Sequence, residues 1–362
     1  MCRTNRNAWK TEPHRLTGRG IGVAVLDTGC FLHEDLQNRI AAFRDIVGRK
    51  RLPYDDNGHG THVCGIIGGN GYASSGSCCG LAPECHLIPV KVLDRRGNGY
   101  ASDVLSGLRW IRENRELYQI RIVNISVGSF SRKNMNENSA LVRGVNAAWD
   151  EGLIVVVAAG NMGPRSGTIT TPGISRKVIT VGCSDDNQEV NVMGSRMVDY
   201  SGRGPTCSCI CKPDVVAPGA SVLSCANFPG RYTCKSGTSM ATPYVSGALA
   251  LLLEKCPELS NRRSGASPQS AGLGSGGYWG TASIIRRFPS ALPEPILQKS
   301  STSAFSFLYC MNKQAAAQLW FKPGRFRRHE KPCICHFKQL SDRGRVHGKG
   351  HSCTAVHQPF QL

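Results

Sequence analysis

Hydrophobic residues in this chain gather into short continuous runs, and polar residues interrupt them without strict alternation. The runs occupy residues 21–26, 86–93, 120–126, 154–159, 177–182 and the shorter 214–219. Val/Ile/Leu-rich runs of this length, bounded by Gly, Pro, Asn or Asp, predict strands buried on both faces. Helical patterns lie between them. One opens at Gly58 and carries Val63, Cys64, Ile66 and Ile67; another starts at Ser102-Asp103 and continues through Val104, Leu105, Leu108 and Ile111. A third spans residues 140–150. After the last strand, residues 244–253 carry Val245, Ala248, Leu249, Leu251, Leu252 and Leu253, a helix apolar nearly all round. Pro243 is expected in its first turn, where a missing N–H costs nothing. Strands alternating with helices predict an α/β fold in three layers, a mostly parallel sheet with helices on both faces. In such sheets sites gather at the carboxyl ends of the strands.

Length and charge divide the chain. Its 362 residues, 40% hydrophobic, suffice for one large core and an appendage. Past residue 260 the periodicity stops, and residues 261–362 carry 15 Lys+Arg against 3 acids, most of the net charge of +19. The expected organisation is a polar lead-in at 1–17, a globular domain at 18–260, and a basic, irregular C-terminal tail at 261–362, either disordered or the product of a shifted reading frame. The tail's charges are scattered and have no helical period, which disfavours nucleic acid as a partner. No run approaches the roughly 18 apolar residues of a membrane span. The basic start, Met1 to Arg6, is followed by no apolar core of a secretory signal, so the cytoplasm is favoured unless residues precede Met1. The 17 cysteines then read as reduced thiols. Cys207-Ser208-Cys209-Ile210-Cys211 lacks a second pair at zinc spacing, and Cys64 reads as a core residue.

Three separated stretches carry the chemistry. Strand 21–26 runs into Asp27-Thr28-Gly29, Asn57-Gly58-His59-Gly60-Thr61-His62-Val63 opens a helix, and Gly237-Thr238-Ser239-Met240-Ala241 leads into the apolar helix. Alone, Ser239 reads as a helix-capping serine. Together, a carboxylate, an imidazole and a hydroxyl make an activated nucleophile, in which the base takes the serine proton and the acid orients the base. Ser126 and Asn161 also follow strands directly, which puts them on the same rim as Asp27.

These stretches, with Ala159-Gly160-Asn161 and the run Lys212 to Gly219, resemble the signatures of subtilisin-like serine proteases over residues 18–258, most of all bacterial subtilisins of the intracellular kind. The chain order Asp, His, Ser is the one found in subtilisin. The resemblance implies a subtilisin-like fold and a serine endopeptidase with Ser239 as nucleophile, His59 as general base and acid, Asp27 as its orienting acid and Asn161 as an oxyanion donor. His62 is then a packing residue. By the same resemblance, Gly97, Gly99 and Ser126-Val127-Gly128 flank an extended protein or peptide substrate. Ser126 to Gly128 and Ala158-Ala159-Gly160 wall a pocket that accepts large apolar side chains. No cofactor is required for the chemistry. Structural calcium is the one metal the resemblance suggests, with Asp35 as a candidate ligand. The rival reading is an inactive or unstable scaffold that lacks closing C-terminal helices. A third reading is a basic, cysteine-rich metal or nucleic-acid binder.

Overall fold

The structure, a computed structural model, describes residues 16–129, 136–261 and the backbone of 359–360. Residues 1–15 of the lead-in and the basic tail from 262 onward, apart from that dipeptide, lie outside the described residues.

The first half supplies β1 (Gly22–Asp27), β2 (Arg44–Asp45), α1 (His59–Gly68), β3 (His86–Lys91), β4 (Gly99–Tyr100), α2 (Ala101–Glu113) and β5 (Ile120–Ile125). The second half supplies α3 (Ala140–Asp150), β6 (Ile154–Ala158), β7 (Ile179–Cys183), β8 (Val190–Val192), β9 (Ser195–Met197) and β10 (Val215–Ala217). It closes with β11 (Val222–Cys225), β12 (Tyr232–Lys235) and α4 (Thr238–Lys255), and β13 (Pro359–Phe360) lies far downstream. Seven strands form one sheet in the order β10-β7-β6-β5-β1-β3-β2, and every neighbouring pair is parallel. The continuous apolar runs have their cause here: β1 and β6 are buried at every position, because helices cover both faces. Helices α1 and α4 pack on each other; α4 also lies across β1, β5, β6, β7 and β10, while α2 and α3 pair elsewhere and meet β1 and β6. The result is the α/β, three-layer, mostly parallel architecture expected.

The sheet places β1 and β5 side by side at its centre, with β6 next. Asp27, Ser126 and Asn161 therefore leave neighbouring strands at the same end. The hairpin β11-β12 is antiparallel and delivers the chain into α4. At the other end of the chain, Pro359–Phe360 pairs antiparallel with Gly99–Tyr100.

One expectation is corrected. Helix α4 begins at Thr238, so Pro243 lies inside it and not in its first turn. Residues 238–242 are small or polar and hide that turn from a hydrophobic pattern. Met240 N donating to Gly237 O (3.0 Å) and Thr242 Oγ1 donating to Thr238 O (2.8 Å) mark its true start.

Candidate active site

Asp27 is the last residue of β1, and its side chain is 1% exposed. Its Oδ1 accepts from its neighbour's Thr28 N at 2.7 Å and from His59 Nδ1 at 2.8 Å. With Nδ1 donating, the neutral imidazole keeps Nε2 as its proton acceptor. His59 is the first residue of α1 and 12% exposed.

A carboxylate not singled out from the sequence fixes that helix. Asp55, 6% exposed, accepts from Gly58 N (2.8 Å), Asn57 N (3.1 Å), Thr61 N (2.9 Å) and Thr61 Oγ1 (2.7 Å). It also accepts from Thr28 Oγ1 at 2.9 Å, and Thr28 Oγ1 accepts from Gly60 N at 2.9 Å. Helix α1 has no acid in its first turn and no cap from Gly58, so Asp55 satisfies its orphan amides from outside. Burial raises the Asp55 carboxyl's pKa, but the amides and hydroxyl aimed at it outweigh that and hold it below the ordinary value. Asp55 thus ties the strand carrying Asp27 to the helix carrying His59. The approach is close: a Cβ at Gly60 would lie 2.2 Å from Gly29 O. The buried Lys91 Nζ adds a bond to Thr28 O at 2.6 Å and another to Asp56 Oδ1 at 2.8 Å.

Ser239 is the second residue of α4, at the helix's amide-rich, positive end. Its hydroxyl donates to Ser126 O at 2.8 Å. Asn161 Oδ1 accepts from Thr238 N (2.9 Å) and Thr238 Oγ1 (3.0 Å). Those two donors fix the orientation of the amide and leave Nδ2 as the group free to donate. Gly237, at φ 139°, makes room for it: a Cβ there would stand 3.2 Å from Asn161 Nδ2. Asp27 and His59 are thus joined directly, Asn161 is joined to Ser239's chain neighbour Thr238, and Ser239 is joined to Ser126. The remaining link, Ser239 to His59, is not closed, because the hydroxyl is turned to the Ser126 carbonyl.

The expected pocket walls are small and buried: Val127 and Ala158 are each 3% exposed and Ala159 0%. Thr170, which no sequence pattern marked, lies behind them. A Cβ at Gly128 would meet Thr170 Oγ1 at 2.4 Å, and one at Gly160 would meet Thr170 Cγ2 at 2.3 Å. Gly97 and Gly99 are buried on the approach to and within β4.

Two other expectations concern residues away from this rim. His62 Nε2 faces Val222 O (3.0 Å) and Thr233 O (3.1 Å), so its ring holds α1 to the β11-β12 hairpin. Its pKa is pushed down to about 3, first by burial and then by the charges of His59 and Lys235. Cys64 is fully buried on the same helix. Asp35 does not fit a calcium cage. Its Oδ1 accepts from Ala73 N (2.8 Å) and its Oδ2 from Tyr232 Oη (2.9 Å). The metal-ligating side chains grouped with Asp35 are the imidazole of His33 and the thiol of Cys225, the one such His/Cys/Asp/Glu cluster among the described residues. Calcium takes six to eight hard oxygen ligands; a nitrogen, a sulfur and an already satisfied carboxylate do not supply them. No described helix is long and apolar enough to cross a membrane.

A sequence model of the Subtilase family matches residues 18–267. Serine protease AprX of Bacillus subtilis (strain 168) is 43% identical over 262 residues, which is 68% of this chain and 59% of that protein. Subtilisin Savinase of Lederbergia lenta is 38% identical over 247 residues, 68% of this chain and 81% of the relative. The chain therefore spans less than two thirds of AprX. Among solved structures, Sphericase is 35% identical with a TM-score of 0.57, the match covering 67% of this chain and 80% of that one. A cold adapted subtilisin-like serine proteinase is 31% identical with a TM-score of 0.55, covering 68% and 79%. A match of this extent supports a single assignment: the chain belongs to the subtilase family.

Proposed function

We propose that the chain is a serine endopeptidase that cleaves internal peptide bonds through an acyl-enzyme on Ser239. The observation that carries this is the buried 2.8 Å bond between Asp27 Oδ1 and His59 Nδ1 on the rim that also holds Ser239 and Asn161. His59 Nε2 takes the Ser239 proton once the hydroxyl swings from Ser126 O; resting geometries of this kind commonly tighten only when substrate binds. Oγ attacks the scissile carbonyl, and the new anion is held by Asn161 Nδ2 and Ser239 N–H, groups already aimed before reaction. The tetrahedral adduct collapses as His59 gives its proton to the leaving amine. Water, deprotonated by the same imidazole, then hydrolyses the ester and frees Ser239. Asp27 remains ionised and stabilises the imidazolium.

Protein or peptide substrates lie extended between β4 and Ser126–Gly128, with an apolar side chain between Ser126–Gly128 and Ala158–Gly160. The pairing of Pro359–Phe360 with Gly99–Tyr100 supports this, because an antiparallel chain segment fits that edge. The chemistry asks for no metal, and any structural calcium is held by residues other than Asp35. A fluorophosphonate probe tests the reading. The folded chain is expected to be labelled at Ser239 and to hydrolyse a broad peptide substrate, and Ser239→Ala is expected to do neither. A folded chain that takes no label favours the inactive-scaffold reading.

A further inference from the structure

Pro243 leaves a gap in the hydrogen-bond ladder of α4 at the carbonyl of Ser239. In an α-helix the N–H of residue 243 would donate to the carbonyl of residue 239, and proline has no N–H. Ser239 O nevertheless has a donor, Ser126 Oγ at 3.0 Å. Ser126 Oγ in turn accepts from Asn124 Nδ2 at 2.9 Å, and Asn124 Oδ1 accepts from Ser246 Oγ at 2.8 Å. Since Ser239 Oγ donates to Ser126 O, Ser126 and Ser239 are joined twice, each side chain to the other's carbonyl.

The direction of this chain of donors is forced. A hydroxyl has one proton to give. Ser126 can spend it on Ser239 O only if its own oxygen receives from the Asn124 amide, and that orientation turns Asn124 Oδ1 toward Ser246. With the Asn124 amide turned over, Ser126 would donate to Asn124, and Ser239 O would lose its partner. Asn124 and Ser246 are each 0% exposed, one in a strand otherwise apolar where it is buried and one in α4 among the buried Val245, Ala248, Leu249 and Ala250. Polar side chains so placed cost stability unless they are fully paired. Among the described residues neither is hydrogen-bonded to Asp27, His59 or Asn161, so the triad does not account for them.

We propose that Asn124 and Ser246 are positioning residues for the nucleophile: acting through the Ser126 hydroxyl, they replace the helical hydrogen bond that Pro243 deletes and so set the first turn of α4 and the stance of Ser239 Oγ. The proposal rests on the protease reading above.

The test compares phosphonylation rate at Ser239, peptide kcat and KM, and thermal midpoint in the full-length chain. The variants are Ser246→Ala, Ser126→Ala, that pair combined, and Ser126→Ala with Pro243→Ala. Small displacements of a reacting atom are costly, so Ser246→Ala is expected to lower phosphonylation and kcat by about tenfold with KM within about twofold. In the Ser126→Ala background, Ser246→Ala is expected to add no further loss. Pro243→Ala restores an N–H to the helix and is expected to recover most of the rate lost in Ser126→Ala. A wild-type rate in Ser246→Ala, an equal loss in both backgrounds, or losses that only follow the thermal midpoint would overturn the proposal while leaving the protease reading intact. An unlabelled but folded wild-type chain would remove both, and that outcome is seen in the first measurement.

Discussion

Asn161 carries the sharpest residue-scale expectation. Its carbonyl oxygen is taken up by Thr238, which leaves one amide N–H pair for the developing oxyanion. Removing a side-chain oxyanion donor from a subtilisin costs about 10²–10³ in turnover, and Asn161→Ala is expected to fall in that range with KM little changed, as steady-state kinetics would show. His62 makes a pH-dependent prediction. Folded, it stays neutral down to about pH 3, whereas the unfolded chain protonates it near its ordinary value. Between those values the unfolded state binds more protons, so stability is whole above about pH 6.5 and falls as the pH drops toward about 3. At about pH 5 the loss is on the order of 2 kcal/mol. Urea titrations should show it, and His62→Gln should flatten the slope over that window. Asp55, held below the ordinary carboxylate value of 3.8, adds its own loss as the pH falls through that ordinary value, within the lower part of the same window.

At the scale of elements, the joint between β1 and α1 is the place to probe. Asp55→Ala strips the acceptor from buried amides of Gly58 and Thr61, and the expected cost is on the order of 2–4 kcal/mol, measured as a shift in denaturant midpoint. Gly60→Ala drives a methyl into Gly29 O, so a comparable loss accompanied by reduced labelling of Ser239 is expected, because His59 moves with its helix. These elements also show what a sequence can and cannot disclose. The strands were legible because a parallel strand buried on both faces must be apolar throughout. Asp27, His59, Ser239 and Asn161 were legible because each sits at a strand end or helix start marked by glycine. Thr238, Asn124 and Ser246 were not, since partners of each arrive from remote stretches; Ser246 and Asn124 are 122 residues apart. Asp55 was not, because its nearby partners are mainly backbone amides of Asn57, Gly58 and Thr61, which no side-chain pattern marks. An asparagine in an apolar strand says only that something must pair with it. Pro243 misled for a local reason: threonine and alanine in the turn before it give no apolar stripe.

For the molecule as a whole, the site depends on a sheet assembled from distant segments and closed by α4, whose residues Leu249, Leu251 and Leu252 are at most 2% exposed. Leu251→Ala is expected to cost roughly 2–5 kcal/mol by thermal or denaturant unfolding, the range for a truncated core leucine. Calcium gives a second expectation at this scale. Whatever calcium does to the thermal midpoint, it should do equally to wild type and Asp35→Asn, because Asp35 already spends its oxygens on Ala73 N–H and Tyr232 Oη–H.

The order of elements along the chain has a consequence for the cell that makes it. Asp27 and His59 are synthesised early, but Ser239, the proposed nucleophile, sits on α4, the last helix among the described residues, which packs against β5 and β6. Contacts that span so much chain form late and slowly. On the proposed reading, a ribosome-bound or half-folded molecule therefore holds an acid and a base with nothing to activate, and the capacity to cut neighbouring polypeptides arrives only when α4 docks.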